Sequence, residues 1–137
     1  MFTYPYKRMQ NTVDICVFIK KHPYSVLLIK RKNPPFAEQF ALPGGFVDFN
    51  ELFVDAAVRE LKEETSLQLR SLDLEFSHLA DKVGRDPRDR TVSAIYKYLA
   101  YPGDKYNLDL QPKLVGGDDA SEARWFPLKY VFSEECK

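Results

Sequence analysis

A glycine pair followed by an acidic helix constrains this chain more than any other stretch of it. The sequence runs Gly44-Gly45-Phe46-Val47-Asp48-Phe49-Asn50-Glu51, continues through Leu52 to Val58, and closes on Arg59-Glu60-Leu61-Lys62-Glu63-Glu64-Thr65-Ser66-Leu67. Asn50 suits a helix N-cap, Phe49 and Val54 suit the two positions of a hydrophobic staple, and Glu51 would place negative charge in the first turn. Val54, Ala57, Val58 and Leu61 recur at helical spacing and give one apolar stripe to pack on a sheet. Ahead of the helix, Pro43 and the glycines prescribe a tight turn, and glycine lets the backbone come close to a bound ion or phosphate.

At about 100° per residue, Glu63 lies roughly 60° to one side of Glu60 and Glu64 roughly 40° to the other, so three carboxylates share one arc. Each like-charged pair one turn apart costs an isolated helix roughly 0.2–0.5 kcal/mol. A cation would relieve that repulsion, and ligands that are all oxygen point to Mg²⁺ or Mn²⁺ rather than zinc. A solvated acidic face partnered by Lys62 and Arg59 is the other reading of the same residues.

The arrangement resembles the Nudix box, G-x5-E-x7-R-E-U-x-E-E-x-G-U, where U is a bulky aliphatic residue. Here it reads Gly45, Glu51, Arg59, Glu60, Leu61, Glu63, Glu64, Ser66 and Leu67, and Ser66 is the one departure. The resemblance implies an α/β fold, a Nudix-type α/β/α sandwich with a mixed β-sheet and the box helix packed on it. It implies a metal-dependent pyrophosphohydrolase in which Glu63 and Glu64 are metal ligands and Glu60 is a ligand or the base. Arg59 would pair with Glu51 or Glu60 and fix the helix-loop geometry, and Glu51 would serve either the geometry or the chemistry. A carbonyl in the preceding turn, here that of Gly44, would be a further metal ligand. At Ser66 the helix exit often wants glycine with positive φ, and another residue there costs on the order of 1 kcal/mol if the geometry is kept.

At 137 residues and 45% hydrophobic content the chain is long enough for one core, so a single domain over 1–137 is expected, with residues 1–11 as an aromatic and basic arm. Lys+Arg and Asp+Glu both total 20, which leaves no basic surplus to bind a nucleic acid backbone. No apolar run approaches a membrane span of roughly 20 residues and no signal pattern opens the chain, so a cytoplasmic protein with no membrane partner is expected. Cys16 and Cys136 form no motif and are expected as free thiols, and neither His22 nor His78 is assigned a role.

Along the chain, Thr12 to Lys20 and Ser25 to Lys32 read as strands joined by a turn at His22-Pro23. Val26 to Ile29 is continuously apolar, as in a strand covered on both faces. Arg31, at the end of that strand, faces either phosphate or solvent. Leu67 to Val83 reads as one or two strands, and Thr91 to Tyr101 as another. Between them lies Gly84-Arg85-Asp86-Pro87-Arg88-Asp89-Arg90, a loop dense in both charges. Its arginines can grip phosphates bidentately while an aspartate holds their geometry or meets a ribose hydroxyl; a self-neutralising surface turn is the alternative.

The run Asp81-x-x-Gly84-Arg85-Asp86-Pro87-Arg88, followed by Val92-Ser93 and Tyr96, resembles the second signature of the bacterial ADP-ribose pyrophosphatase branch of the Nudix family. Thr12-Val13-Asp14 and Gly117-Asp118-Asp119-Ala120 extend the resemblance over nearly the whole chain. It favours substrate contacts from Arg85, Asp86, Arg88 and Arg90, and the end of the second strand adds Arg31 as a further candidate. It also implies a further carboxylate from the loop before the strand Glu122 to Phe126, with Asp118, Asp119 and Glu122 as candidates that could equally cap turns. Lys129 to Lys137 starts as a helix.

The expected reaction is metal-dependent hydrolysis of a nucleoside diphosphate linked to another moiety, first of all ADP-ribose to AMP and ribose 5-phosphate, with Mg²⁺ or Mn²⁺ as cofactor. A Nudix hydrolase of nucleoside triphosphates or dinucleotides, and a non-catalytic ADP-ribose sensor, are the alternatives. The resemblance also allows a homodimer.

Overall fold

The structure is a computed structural model and describes residues 8–20, 24–32, 39–83, 90–101, 103–106 and 120–128. Its centre is β1 (Gln10–Ile19), where Val13, Ile15 and Val17 are fully buried and alternate with the half-buried Thr12, Asp14 and Cys16. That alternation turns one face of the strand toward the core. Gln10 and Asn11, expected in the N-terminal arm, belong to this strand, because the Gln10 N–H donates to the Arg90 carbonyl and the Val47 N–H to the Asn11 carbonyl, both at 3.0 Å.

Along one edge β1 runs parallel to β6 (Thr91–Ala100), in register from Gln10 opposite Thr91 to Ile19 opposite Ala100. Its other edge is divided. Thr12 to Asp14 pair antiparallel with β4 (Gly44–Phe46), while Phe18 and Ile19 pair with β2 (Ser25–Arg31). Between them the Ile15 N–H reaches the Pro43 carbonyl at 2.9 Å. Beyond this fork β2 carries β3 (Phe40–Ala41) and β7 (Ala120–Pro127), and β5 (Glu75–Ala80) closes the far edge against β6. The sheet is therefore mixed, with seven strands among the described residues.

One helix, α1 (Phe53–Thr65), packs on this sheet against β1, β4, β6 and β7. Ala56, Ala57 and Leu61 are fully buried among Val13, Ile15, Val17, Leu27 and Ile29, with Val54 and Val58 at the margin. Burying Leu61 alone is worth about 2 kcal/mol.

The helix begins later than its sequence suggests. Leu52 is the N-cap and makes no side-chain capping bond, Asp55 supplies the acid of the first turn, and Phe49 is 97% exposed, so neither an Asn50 cap nor a Phe49 staple forms. A tertiary demand outweighs the local one. Residues 48–51 close a turn, with Glu51 N–H to Asp48 carbonyl at 3.2 Å and Asp48 N–H to Glu51 Oε1 at 2.8 Å, which leaves the Glu51 carboxylate outside the helix and facing Arg59.

The segment after the helix, read as one or two strands, holds one, Glu75–Ala80, preceded by a turn of 3₁₀ helix at Ser71–Asp73. Asp73 holds the turn: it accepts from Lys105 Nζ at 2.7 Å, from the Tyr106 hydroxyl and from Arg70 Nε at 3.2 Å. The lysine and the other two donors keep its carboxyl far below the ordinary aspartate range. The predicted helix from Lys129 lies outside the described residues. Among the described residues no helix is long and apolar enough to cross a membrane.

Candidate active site

The glycine turn and the helix meet through their backbones and carboxylates. In the antiparallel β1/β4 pair, residues 13 and 45 and residues 15 and 43 are the hydrogen-bonded partners, so Asp14 and Gly44 form the close, non-bonded pair. Gly44 therefore turns its own N–H and carbonyl away from β1. Its N–H donates to Glu64 Oε1 at 2.8 Å, and Glu64 is only 3% exposed.

Both glycines are required by contact. A Cβ at Gly44 would overlap the Val13 carbonyl and Asp14 Oδ1, and one at Gly45 would lie 2.5–2.7 Å from the Glu60 carboxyl atoms. The Glu60 carboxylate thus lies directly over the Gly45 Cα.

Arg59 is the hub of the remaining acids. Its Nη2 meets Glu51 Oε1 at 2.6 Å and the Phe46 carbonyl at 3.0 Å, and its Nε meets Glu51 Oε2 at 3.1 Å. Its Nη1 reaches Glu60 Oε1 at 2.7 Å and Glu63 Oε2 at 3.3 Å, and Asp48 is 3.7 Å away. The fork-on-fork pair with Glu51 is the strongest kind of side-chain ion pair. It pulls the Glu51 carboxyl below its ordinary value and pushes the Arg59 guanidinium up. Arg59 thus takes both partners that the sequence offered it, Glu51 and Glu60, and Glu63 as well.

The donor chemistry fits a hard divalent cation, since Glu60, Glu63 and Glu64 offer only oxygen and the Gly44 carbonyl shares the side of the turn that faces Glu64. In the geometry observed, Arg59 draws Glu60 and Glu63, and the Gly44 N–H holds Glu64. Among the described residues no three His, Cys, Asp or Glu side chains are gathered at metal-ligand spacing.

Of the other sequence-derived candidates, Arg31, Arg90 and Glu122 are described. Arg31 ends β2 opposite Ala120, beside a register shift at Lys30/Arg31. Arg90 stands just before β6, where its Nη2 donates to the Asp81 carbonyl at 3.1 Å. Glu122 pairs across the sheet with Lys30 and accepts from Arg124 Nη2 at 2.7 Å. Arg85, Asp86, Arg88, Asp118 and Asp119 lie outside the described residues.

One pair was missed. Ser93 Oγ donates to Asp14 Oδ2 at 2.6 Å, on the face of β1 opposite the helix, and Ser93 is fully buried. The available signal was an aspartate within a run of β-branched residues, which a strand accommodates only if something holds the charge.

The chain is similar to known proteins over most of its length. The family model described as NUDIX domain matches residues 8–135. An ADP-ribose pyrophosphatase from Methanocaldococcus jannaschii is 43% identical over 116 residues, which cover 80% of this chain and 61% of that protein. The chain thus spans about three-fifths of that relative's length. The NUDIX domain of Shewanella oneidensis NrtR, solved in complex with ADP ribose, superposes with a TM-score of 0.78 at 28% identity, over 94% of this chain and 80% of that one. A bifunctional NMN adenylyltransferase/ADP ribose pyrophosphatase from Francisella tularensis, solved with AMP and a Mn ion, gives a TM-score of 0.76 at 27% identity, over 93% of this chain and 38% of that one.

Proposed function

The chain belongs to the NUDIX family, and from that premise we propose that it is a divalent-metal-dependent hydrolase of ADP-ribose that releases AMP and ribose 5-phosphate. The observation that carries this reading is the junction of turn and helix, where the Gly44 N–H holds Glu64 and the Gly45 Cα underlies Glu60. The identity to the archaeal pyrophosphatase supports the choice of substrate.

Glu63 and Glu64 would hold the cation, with Glu60 and the Gly44 carbonyl as the further oxygen donors. A bound Mg²⁺ or Mn²⁺ would supply charge neutralisation at the diphosphate and an acidified water. Hydrolysis adds water across the P–O–P bridge: the water oxygen bonds to one phosphorus and the bridging oxygen leaves with the other phosphate. The water must lose a proton, and Glu60, if it is not a ligand, is the proposed base that would accept it. Arg59 anchors the Glu51 turn to the helix and keeps Glu60 in place, so its part is to hold geometry. Arg31, Arg85, Arg88 and Arg90 remain the proposed phosphate contacts, with Asp86, Asp118 and Asp119 as polar partners of the substrate. Zero net charge supports a small-molecule partner over a nucleic acid, a free Cys16 supports a reducing cytoplasmic setting, and a homodimer stays part of the proposal.

The test is a substrate panel of ADP-ribose, NADH, diadenosine polyphosphates and nucleoside triphosphates with each cation, with products separated by chromatography. ADP-ribose should be turned over fastest and yield AMP. Turnover of another member with ADP-ribose untouched would overturn the substrate, and calorimetric binding of ADP-ribose without turnover of any member would favour a sensor.

A further inference from the structure

We infer that Asp14, held by Ser93, is a positioning residue that fixes the Gly44 peptide and through it the Glu64 carboxylate. The inference rests on the metal-dependent reading of the site. Asp14 sits in a strand with neighbours on both edges, between the fully buried Val13 and Ile15. A carboxylate there is costly unless its oxygens are held. Ser93, one strand over and fully buried, donates to Oδ2 at 2.6 Å.

The other oxygen, Oδ1, faces the Gly44 Cα so closely that no side chain could stand at residue 44. This follows from the register, because opposed residues of a non-bonded antiparallel pair approach each other most closely. On its far side the same Gly44 gives its N–H to Glu64 at 2.8 Å. One line of contact therefore runs from Ser93 in β6 through Asp14 in β1 and Gly44 in β4 to Glu64 in α1.

The glycine makes this line necessary. Without a side chain, Gly44 has the least steric restraint on its peptide, so the orientation of its N–H must be imposed by its neighbours. The Asp14 carboxylate and the Val13 carbonyl together fill the space a Cβ would take. Truncating the carboxylate opens its share of that space, gives the peptide more freedom and loosens Glu64. Groups that orient a ligand without touching the metal typically cost about 10–100-fold in metal affinity when lost.

The test measures Mn²⁺ binding by electron paramagnetic resonance without substrate, together with the melting temperature in EDTA. Asp14→Ala should weaken Mn²⁺ binding about tenfold. Asp14→Asn, which keeps an oxygen for the Ser93 hydroxyl, should restore most of it, and Ser93→Ala should fall between. The Asp14→Ala loss should vanish in a Glu64→Gln background, where the ligand it serves is already gone. Unchanged affinity in Asp14→Ala, or an equal further loss in the Glu64→Gln background, would overturn the inference. If Asp14→Ala fails to fold, Ser93→Ala and Asp14→Asn decide by the same comparisons. Absence of Mn²⁺ binding by the unmutated protein would instead overturn the metal-dependent reading itself.

Discussion

Arg59 stands among acids that repel one another, and its guanidinium answers three of them, Glu51 from the turn and Glu60 and Glu63 from the helix. Glu63 is the most exposed of those three, with 38% of its side chain open to solvent, so its main task is not to stabilise the fold. Glu63→Gln should lower turnover by about a hundredfold or more, at least the upper end of what an outer-sphere partner is worth, with the melting temperature in EDTA nearly unchanged. An unchanged rate at saturating cation would remove Glu63 from the ligand set. Glu51 should behave oppositely. Its carboxyl titrates below its ordinary value of about 4.5 because Arg59 binds the charged form. The stability it contributes is therefore complete above that value and is lost as pH falls through the lowered one. Glu51→Gln should lower stability by about 1 kcal/mol at pH 7 and flatten the acid side of the stability curve below pH 4.5. Thermal melts from pH 7 to pH 3 measure both effects, and equal pH slopes in the two proteins would contradict the pairing.

At the scale of elements, the end of α1 was legible in the sequence and its beginning was not. Ser66 occupies the left-handed region at φ 68°, the only such non-glycine among the described residues, and its N–H closes on the Lys62 carbonyl at 2.9 Å. The missing glycine of the box pattern marks a position where the backbone keeps the glycine geometry. Ser66→Gly should raise stability by about 1 kcal/mol and leave turnover within a few-fold, as followed by melting temperature and steady-state rate. A large gain in rate would show instead that Ser66 distorts the site. The start was misread because Phe49 and Asn50 satisfy the local capping pattern, whereas the Glu51–Arg59 pair and the 48–51 turn depend on a residue two helical turns away. The short β4 was read only as a turn, since three residues with two glycines carry no strand periodicity.

Over the whole molecule, strand positions followed from the β-branched residues of β1 and the apolar run of β2, but their pairing did not. The parallel match of β1 with β6 joins residues far apart in sequence, and no local pattern encodes it. The same limit separates the parts of the site. Glu60, Glu63 and Glu64 share one helix and were found by spacing, while Asp14 acquires its place only when β1, β4 and β6 are in register. Phosphorus-31 spectroscopy of ADP-ribose incubated with the protein and Mg²⁺ reads the proposed cleavage of the diphosphate directly. The diphosphate signals should disappear as two phosphomonoester signals, AMP and ribose 5-phosphate, grow in equal amounts, and EDTA should stop the change. Diphosphate signals that persist with the divalent cation in excess would contradict the proposed cleavage.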